Sequence, residues 1–279
     1  MSVNLEDLRI SIAGRSIVKG ISMRVGDGER VGLIGASGSG KSMIAKACLG
    51  LLPSVADVRG SIRIGQQEIV GADERKLAGI RGSATGLVVQ NPAAALNPVK
   101  RVFDQVALPL TLHYQLDREQ IRTRVIDMLR RVGLTETIAD KFPHQLSGGQ
   151  QQRVAIATAL VTSPKFIIAD EPTTSLDSIT QQQIVDVLVS LVDDSGASML
   201  FITHDFSVLS RATTRCAVLD EGVLVEEGST HDLLREPKHP VTRILVNAAT
   251  ELTFQRNAVG QGITDGQGVH GRNDEGAAR

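Results

Sequence analysis

The chain contains no tryptophan, a single tyrosine (Tyr114) and only 3% aromatic residues in all. Readers of single-stranded nucleic acid stack bases on several aromatic plates, so this chain is poorly stocked for that work. Net charge is equally scarce: 30 Lys and Arg face 31 Asp and Glu, which leaves −1 at pH 7. No long basic run interrupts that balance, so there is no electrostatic case for nucleic acid or an anionic membrane surface. No apolar run approaches the roughly 20 residues of a membrane-spanning helix. The opening MSVNLEDLRI carries acids early and has no apolar centre, and no secretory leader is expected from it. Cys48 and Cys216 are the only cysteines, and neither sits in a CxxC or Cys/His cluster. That excludes a disulfide framework and a thiolate metal site, and predicts two reduced structural thiols. No repeat at a period of 20–50 residues is present, which excludes a solenoid.

What is present is an alternation of short apolar runs with helical periodicities. Residues 3–12 and 17–25 read as strands, and GDGE at 26–29 as a turn. RVGLIG, 30–35, is the kind of continuous apolar run that makes a buried strand. Beyond a glycine-rich loop, Met43, Ile44, Ala47 and Leu51 recur on one helical face. Residues 59–90 read as β-rich and end in GLVVQ. The stretch 102–160 reads as mostly helical, SPKFIIADE as a second buried strand, 176–193 as a helix and MLFIT, 199–203, as a third strand. Strands alternating with helices predict an α/β fold with a mostly parallel sheet. An antiparallel β-subdomain is expected at the N-terminus, and a helical subdomain inserted at about 91–163. The main domain is expected to cover 1–250, with 251–279, rich in Gly, Asn and Asp, as a disordered tail.

Three stretches carry chemistry. The first is GASGSGKS: Gly35, Ala36, Ser37, Gly38, Ser39, Gly40, Lys41 and Ser42. It matches G-x-x-x-x-G-K-[ST], in which small residues let consecutive backbone N–H groups wrap phosphates. Lys41 then reaches the outer phosphates and Ser42 presents its hydroxyl to Mg²⁺. The following helix aims its positive end at the same anions, and no Asp or Glu lies between Glu29 and Asp57 to oppose them. The second is FIIADE, an apolar strand ending in two carboxylates. The C-terminal edge of such a strand is where α/β sheets present ligand sites. Asp170 is expected to hold Mg²⁺, and Glu171 to orient or deprotonate an attacking water. The third is LSGGQQQRVAIATAL. Ser147 is a good N-cap, Val154, Ala157, Thr158 and Val161 form a stripe, and no acid occurs from Lys141 to Ala169. Gly148, Gly149 and Gln150 at that helix start therefore make a second anion site, separate from the first.

GASGSGKS, LSGGQ, FIIADE, SLD at 175–177 and the His204 of FITHD occur together and in this order. The combination resembles the nucleotide-binding subunits of ABC transporters over residues 3–247. The resemblance implies ATP and Mg²⁺ as ligands and a head-to-tail dimer, in which ATP on one subunit's glycine loop is closed off by the other's LSGGQ. It implies that Gln90 senses the metal and the lytic water, that Asp177 supports the contact across the dimer, and that His204 bonds the γ-phosphate. The family usually places an aromatic near residues 12–16 to stack on adenine. This chain has IAGRS there, so either Ile12 or Arg15 packs on the base or stacking is weak.

Finer stretches narrow the resemblance. VVQNPAAALNPVKRVFDQV, FPHQLSGGQQQR and KHPVTRILVNA resemble the dipeptide, oligopeptide and nickel importers. That class implies two integral membrane permease subunits and a second ATPase subunit, either a paralogue or the chain itself. It implies a solute-binding protein reached only through the permeases, and a place on the cytoplasmic face of the membrane. A soluble enzyme assembly of the phosphonate-degrading type is the alternative setting. A DNA-repair ATPase would need a long coiled coil, and no heptad run of that length occurs.

Overall fold

The computed structural model describes residues 1–174 and 176–249. Ser175 and the expected tail lie outside the described residues. The chain opens with β1 (Val3–Ile12) and β2 (Arg15–Val25), followed by β3 (Arg30–Ile34) and α1 (Lys41–Cys48). Ile12 pairs with Arg15, so the β1–β2 turn has two residues, Ala13 and Gly14, at φ 49 and 78. Left-handed values at both positions are what a tight hairpin with strand-matching twist requires. Then come β4 (Ala56–Ile64), β5 (Gln67–Glu68), α2 (Glu74–Ile80) and β6 (Thr85–Val88). The helical stretch holds α3 (Pro92–Ala95), α4 (Val102–His113), α5 (Arg118–Arg131) and α6 (Gly148–Leu160). The chain returns through β7 (Phe166–Asp170), α7 (Ser178–Ser195), β8 (Ser198–Thr203) and α8 (Phe206–Ala212). It closes with β9 (Arg215–Asp220), β10 (Val223–Ser229), α9 (Thr230–Arg235) and helical residues 240–249.

Two sheets result. An antiparallel sheet runs β2-β1-β4-β5, and a larger one runs β10-β9-β3-β8-β7-β6. In the larger sheet β9, β3, β8, β7 and β6 are parallel, and β10 alone is antiparallel. The central strands are apolar along their interiors because both faces are covered. Their alternation sorts side chains into two cores. Phe166 and Ile168 of β7, Leu200 and Ile202 of β8, and Val31 and Leu33 of β3 join the antiparallel sheet and α1. Ile167 and Ala169, Met199 and Phe201, and Ile34 face the other way, onto α4 to α8. Period two along each strand is thus read out as membership of one core or the other.

The helical stretch folds for local reasons. Asp117 caps α5 in a reciprocal box with Gln120, and Val125, Met128 and Leu129 are its buried stripe. On α6, Val154, Ala157 and Val161 are buried as expected, while Thr158 is half-buried and bonds back to Val154 O at 2.9 Å. Two expectations need correction. Residues 59–90 are not continuously β-rich: Asp73 caps α2, accepting from Lys76 N, within that stretch. Leu51 does not share the face of Ile44 and Ala47, because α1 ends at Cys48 and Leu51 is 45% exposed.

Candidate active site

β3 lies at the centre of the larger sheet, between β8 and β9, and the glycine loop leaves its C-terminal end. The loop is built where backbone packs on backbone. A Cβ on Gly35 would stand 2.1 Å from Leu219 O on β9. Gly38 and Gly40 adopt φ 80 and 111, which side chains rarely tolerate. Ala36, Ser37 and Gly38 are exposed, while Ser39, Gly40 and Lys41 are buried. Lys41 Nζ donates to Gly35 O at 2.8 Å and Ala36 O at 2.9 Å, so the ammonium curls under its own loop. Burial lowers the Lys41 pKa, and the Glu171 and Asp170 carboxylates pull it back up. Ser39 Oγ is buried without a hydrogen-bond partner among the described residues. α1 has no acid in its first turn. The loop therefore offers an anion a helix N-terminus, a buried ammonium and an unspent hydroxyl.

The carboxylates arrive from two strands away. Ser42 Oγ donates to Asp170 Oδ1 at 3.1 Å. Burial raises the Asp170 pKa above its ordinary value; the Ser42 hydrogen bond opposes this and Glu171 adds to it. Glu171 has φ 47, an unfavourable value for a side chain of its size, and its N–H donates to Ile202 O at 2.9 Å. Three side chains converge on its carboxylate. Gln90 Nε2 donates to Oε2 at 2.7 Å, Thr174 Oγ1 donates to the same oxygen at 3.0 Å, and His204 Nδ1 lies 3.4 Å from Oε1. The Glu171 side chain is 16% exposed and that of His204 57%.

These residues share one cleft of about 1240 Å³. Its walls include Ala36 to Ser42, Gln90, Glu171 and His204. Gly35 lies under the loop through its carbonyl, and Asp170 joins through Ser42. Sequence reasoning missed Thr174, Ser16, Ile17, Lys19, Met43, Asp220 and Glu221, all of which also line the cleft. Arg15 lines it as well; Ile12, the other candidate for the base, does not.

Ser147, Gly148, Gly149, Gln150 and Asp177 do not line that cleft. Ser147 caps α6 in a reciprocal box with Gln150. Asp177 caps α7, accepting from Ile179 N at 3.1 Å and Thr180 N at 3.0 Å. The two helix starts are neighbours: a Cβ on Gly149 would come within 3.0 Å of Thr180 Cγ2. They form a second surface with Ser147, Gly148 and Asp177 exposed.

The donor set beside the glycine loop suits a hard divalent cation that keeps water and phosphate ligands. It is a hydroxyl, one carboxylate and an amide, all bearing oxygen. Among the described residues there is no cluster of three or more His, Cys, Asp or Glu side chains that would hold a metal alone.

Comparison with known proteins agrees with this geometry. A family model described as ABC transporter matches residues 18–174. The chain is 38% identical over 253 residues to the oligopeptide transport ATP-binding protein OppD of Lactococcus lactis subsp. cremoris, covering 88% of this chain and 75% of that one. It is 37% identical to the oligopeptide transport ATP-binding protein AppD of Bacillus subtilis, over 83% of this chain and 72% of the relative. Among solved structures, the dimeric post-hydrolysis state of the ATP-binding cassette MJ0796 bound to ADP and Pi superposes with a TM-score of 0.73. That chain is 32% identical, and the match covers 82% of this chain and 98% of it. With a phosphate-binding loop, two strand-end carboxylates and a capped glycine helix start arranged as described, the chain belongs to the ABC transporter family, as an ATP-binding and ATP-hydrolysing cassette.

Proposed function

We propose that the chain is the ATPase subunit of a membrane importer of the dipeptide, oligopeptide or nickel class. Residues 1–250 form its working domain, and about 91–163 a helical subdomain that meets the membrane subunits. The observation that carries the catalytic part is the convergence of Gln90, Thr174 and His204 on Glu171, at the mouth of a phosphate cradle.

Each residue then has a task. The loop from Gly35 to Ser42 binds the triphosphate through N–H groups, and Lys41 turns from its own carbonyls to the outer phosphates. Mg²⁺, when bound by Ser42, Asp170 and Gln90, supplies charge neutralisation at the phosphates. Glu171 takes or orients the proton of the attacking water, and Gln90 and Thr174 hold its carboxylate in place. His204 donates to the γ-phosphate side of the cleft. Ser147, Gly148, Gly149 and Gln150 of a second ATPase subunit close the cleft from outside, with Asp177 bracing the contact. The exposure of Ser147, Gly148 and Asp177, and the absence of all five from the cleft of their own chain, support that division.

The support for a peptide importer is the similarity to OppD and AppD. An apolar face also speaks for a membrane partner. Leu108 and Leu112, one turn apart on α4, are 45% and 68% exposed. No helix among the described residues is long and apolar enough to cross a membrane. In this reading transport runs through separate permeases, with this chain on their cytoplasmic side and a solute-binding protein on the far side.

The test is a pull-down of tagged Glu171→Gln protein from detergent-solubilised membranes with ATP present. Two polytopic membrane proteins and a second ATPase are expected. Recovery of soluble enzymes alone would sink the transport reading. In the same variant ATP binding persists while turnover falls by about 10²–10⁴-fold; wild-type turnover would overturn the role of Glu171.

A further inference from the structure

Between the end of β7 and the start of α7 the chain runs from Glu171 to Asp177, and its described residues form no strand or helix there. Thr174, which donates to the Glu171 carboxylate, sits in that connection. Its backbone is held loosely by its neighbours. Thr174 N donates to Glu171 O at 3.3 Å, and Thr173 O accepts from Leu176 N at 3.3 Å. Both distances lie beyond the usual N–H···O range. The shortest bond to that peptide comes from a side chain one turn into α7: Gln181 Nε2 donates to Thr173 O at 3.1 Å. Thr173 is 5% exposed, so its carbonyl has little water to turn to instead.

Gln181 is an unexpected residue at that place. α7 buries Ile184, Val185, Leu188, Leu191 and Val192. Position 181 lies three and four residues before Ile184 and Val185, on the same face, and an apolar side chain there would extend the stripe. An amide stands there instead, half-buried, while Gln182 and Gln183 are exposed. A carbonyl only accepts, so the amide presents its N–H group to Thr173 and not its oxygen. The carbonyl of Thr173 and the N–H of Thr174 belong to one planar peptide unit. Gripping the oxygen end fixes that plane, and with it the direction in which the Thr174 side chain leaves. That side chain reaches Glu171 Oε2 at 3.0 Å. Gln181 itself does not line the cleft.

We infer that Gln181 is a positioning residue for hydrolysis. Its amide fixes the Thr173–Thr174 peptide, and Thr174 in turn keeps the Glu171 carboxylate turned to the cleft. Gln181 acts through these two residues, from outside the cleft. The role depends on Glu171 as the base, the reading proposed above.

The experiment is steady-state ATP hydrolysis by the full chain, at protein concentrations where the wild-type rate per chain has levelled off. Binding of a non-hydrolysable ATP analogue is followed in parallel by calorimetry. Wild type is compared with Gln181→Met, Gln181→Glu, Thr174→Val and the double variant Gln181→Met, Thr174→Val. Methionine extends the apolar stripe of α7, so folding is kept. Glutamate keeps the shape of the amide and cannot donate at neutral pH. Both Gln181 variants are expected to lower kcat by about 3–10-fold, as the loss of one neutral hydrogen bond would. KM and analogue affinity should stay within about twofold of wild type. The double variant should turn over no more than about twofold slower than Thr174→Val alone, because both changes cut one relay. Wild-type kcat in either Gln181 variant overturns the inference. So does a raised KM at wild-type kcat, which would place Gln181 in nucleotide binding. Multiplied losses in the double variant overturn it too, by showing that Gln181 acts apart from Thr174. Wild-type turnover in Glu171→Gln would remove the base itself, a result distinct from all of these.

Discussion

Two helices of this chain begin at glycines with no acid in the first turn, α1 after Gly40 and α6 at Gly148, yet they are built for opposite conditions. At α1 the loop is folded in: Gly40 and Lys41 are buried, Gly35 presses on the backbone of β9, and a hydroxyl and an ammonium wait inside. At α6 the start is turned out: Ser147 and Gly148 are exposed, and the cap hydrogen bonds are complete within the chain. The first is a finished half of a site with its own walls. The second is a finished helix end that lies outside the cleft of its own chain. An anion at α6 therefore needs a wall from elsewhere, which a second ATPase subunit supplies in the arrangement proposed above.

The sharpest way to break this contrast is to put a charge at the outward-facing glycine. A Cβ on Gly148 meets only Leu176 Cδ2, at 3.8 Å, so a side chain fits. An aspartate at the first helical position also suits the helix dipole, by about 0.3–1 kcal/mol. Gly148→Asp is expected to fold with unchanged or slightly higher thermal stability. It is expected to bind nucleotide normally as a monomer and to lose turnover by about 100-fold or more, because like charges at a closed interface cost several kcal/mol. Wild-type turnover with normal stability would mean that α6 is an ordinary capped helix.

At α1 the corresponding change is Lys41→Met. The ammonium bonds two loop carbonyls at rest, and its loss removes charge-assisted bonds to phosphate worth about 1.5–3 kcal/mol. Nucleotide affinity should fall roughly 10–100-fold in a binding titration, with the fold intact by circular dichroism. Gly35→Ala sharpens the comparison from the packing side. The added carbon would meet Leu219 O at 2.1 Å, so β3 and β9 must part, at about 1–3 kcal/mol of stability in a denaturant titration. Gly148→Ala should show no such loss beyond about 0.5 kcal/mol. Equal effects at the two glycines would erase the distinction between them.

The contrast also marks what the sequence could tell. The glycine loop, FIIADE and the capped α6 are local patterns, each carried by neighbours in the chain, and all three were legible. The alternation of apolar runs was enough for the parallel sheet. What escaped reading is long-range or thinly patterned. α2 buries only Leu77, so it has no stripe to betray it. Thr174 bonds Glu171, but in DEPTTS it reads as turn chemistry. Asp220 and Glu221 sit in an ordinary hairpin turn by sequence. Long-range backbone hydrogen bonds, from Gly222 to Ser39 and from Lys19 to Gly222, make that turn a wall of the cleft. The Asp177 carboxylate caps α7, a local role the sequence reading did not assign to it.

The smallest expected effect tests whether the inward site was shaped for its ligand at the expense of the resting protein. Burial raises the Asp170 pKa, which means the ionised carboxylate is less comfortable in the folded chain than in the unfolded one. Its contribution at neutral pH is destabilising. That penalty fades as pH falls through the raised folded value toward the ordinary carboxylate range, because the folded chain binds the proton first. Asp170→Asn keeps an oxygen for Ser42 and removes the charge. It is expected to raise the stability of the nucleotide-free protein at pH 7 by on the order of 1 kcal/mol, while turnover with Mg²⁺ and ATP collapses. The gain over wild type should shrink as pH is lowered into the carboxylate range, followed by thermal unfolding at several pH values. A variant less stable than wild type at neutral pH would show that the Ser42 hydrogen bond outweighs burial at this carboxylate. The strain of the site would then rest on the left-handed backbone of Glu171 instead.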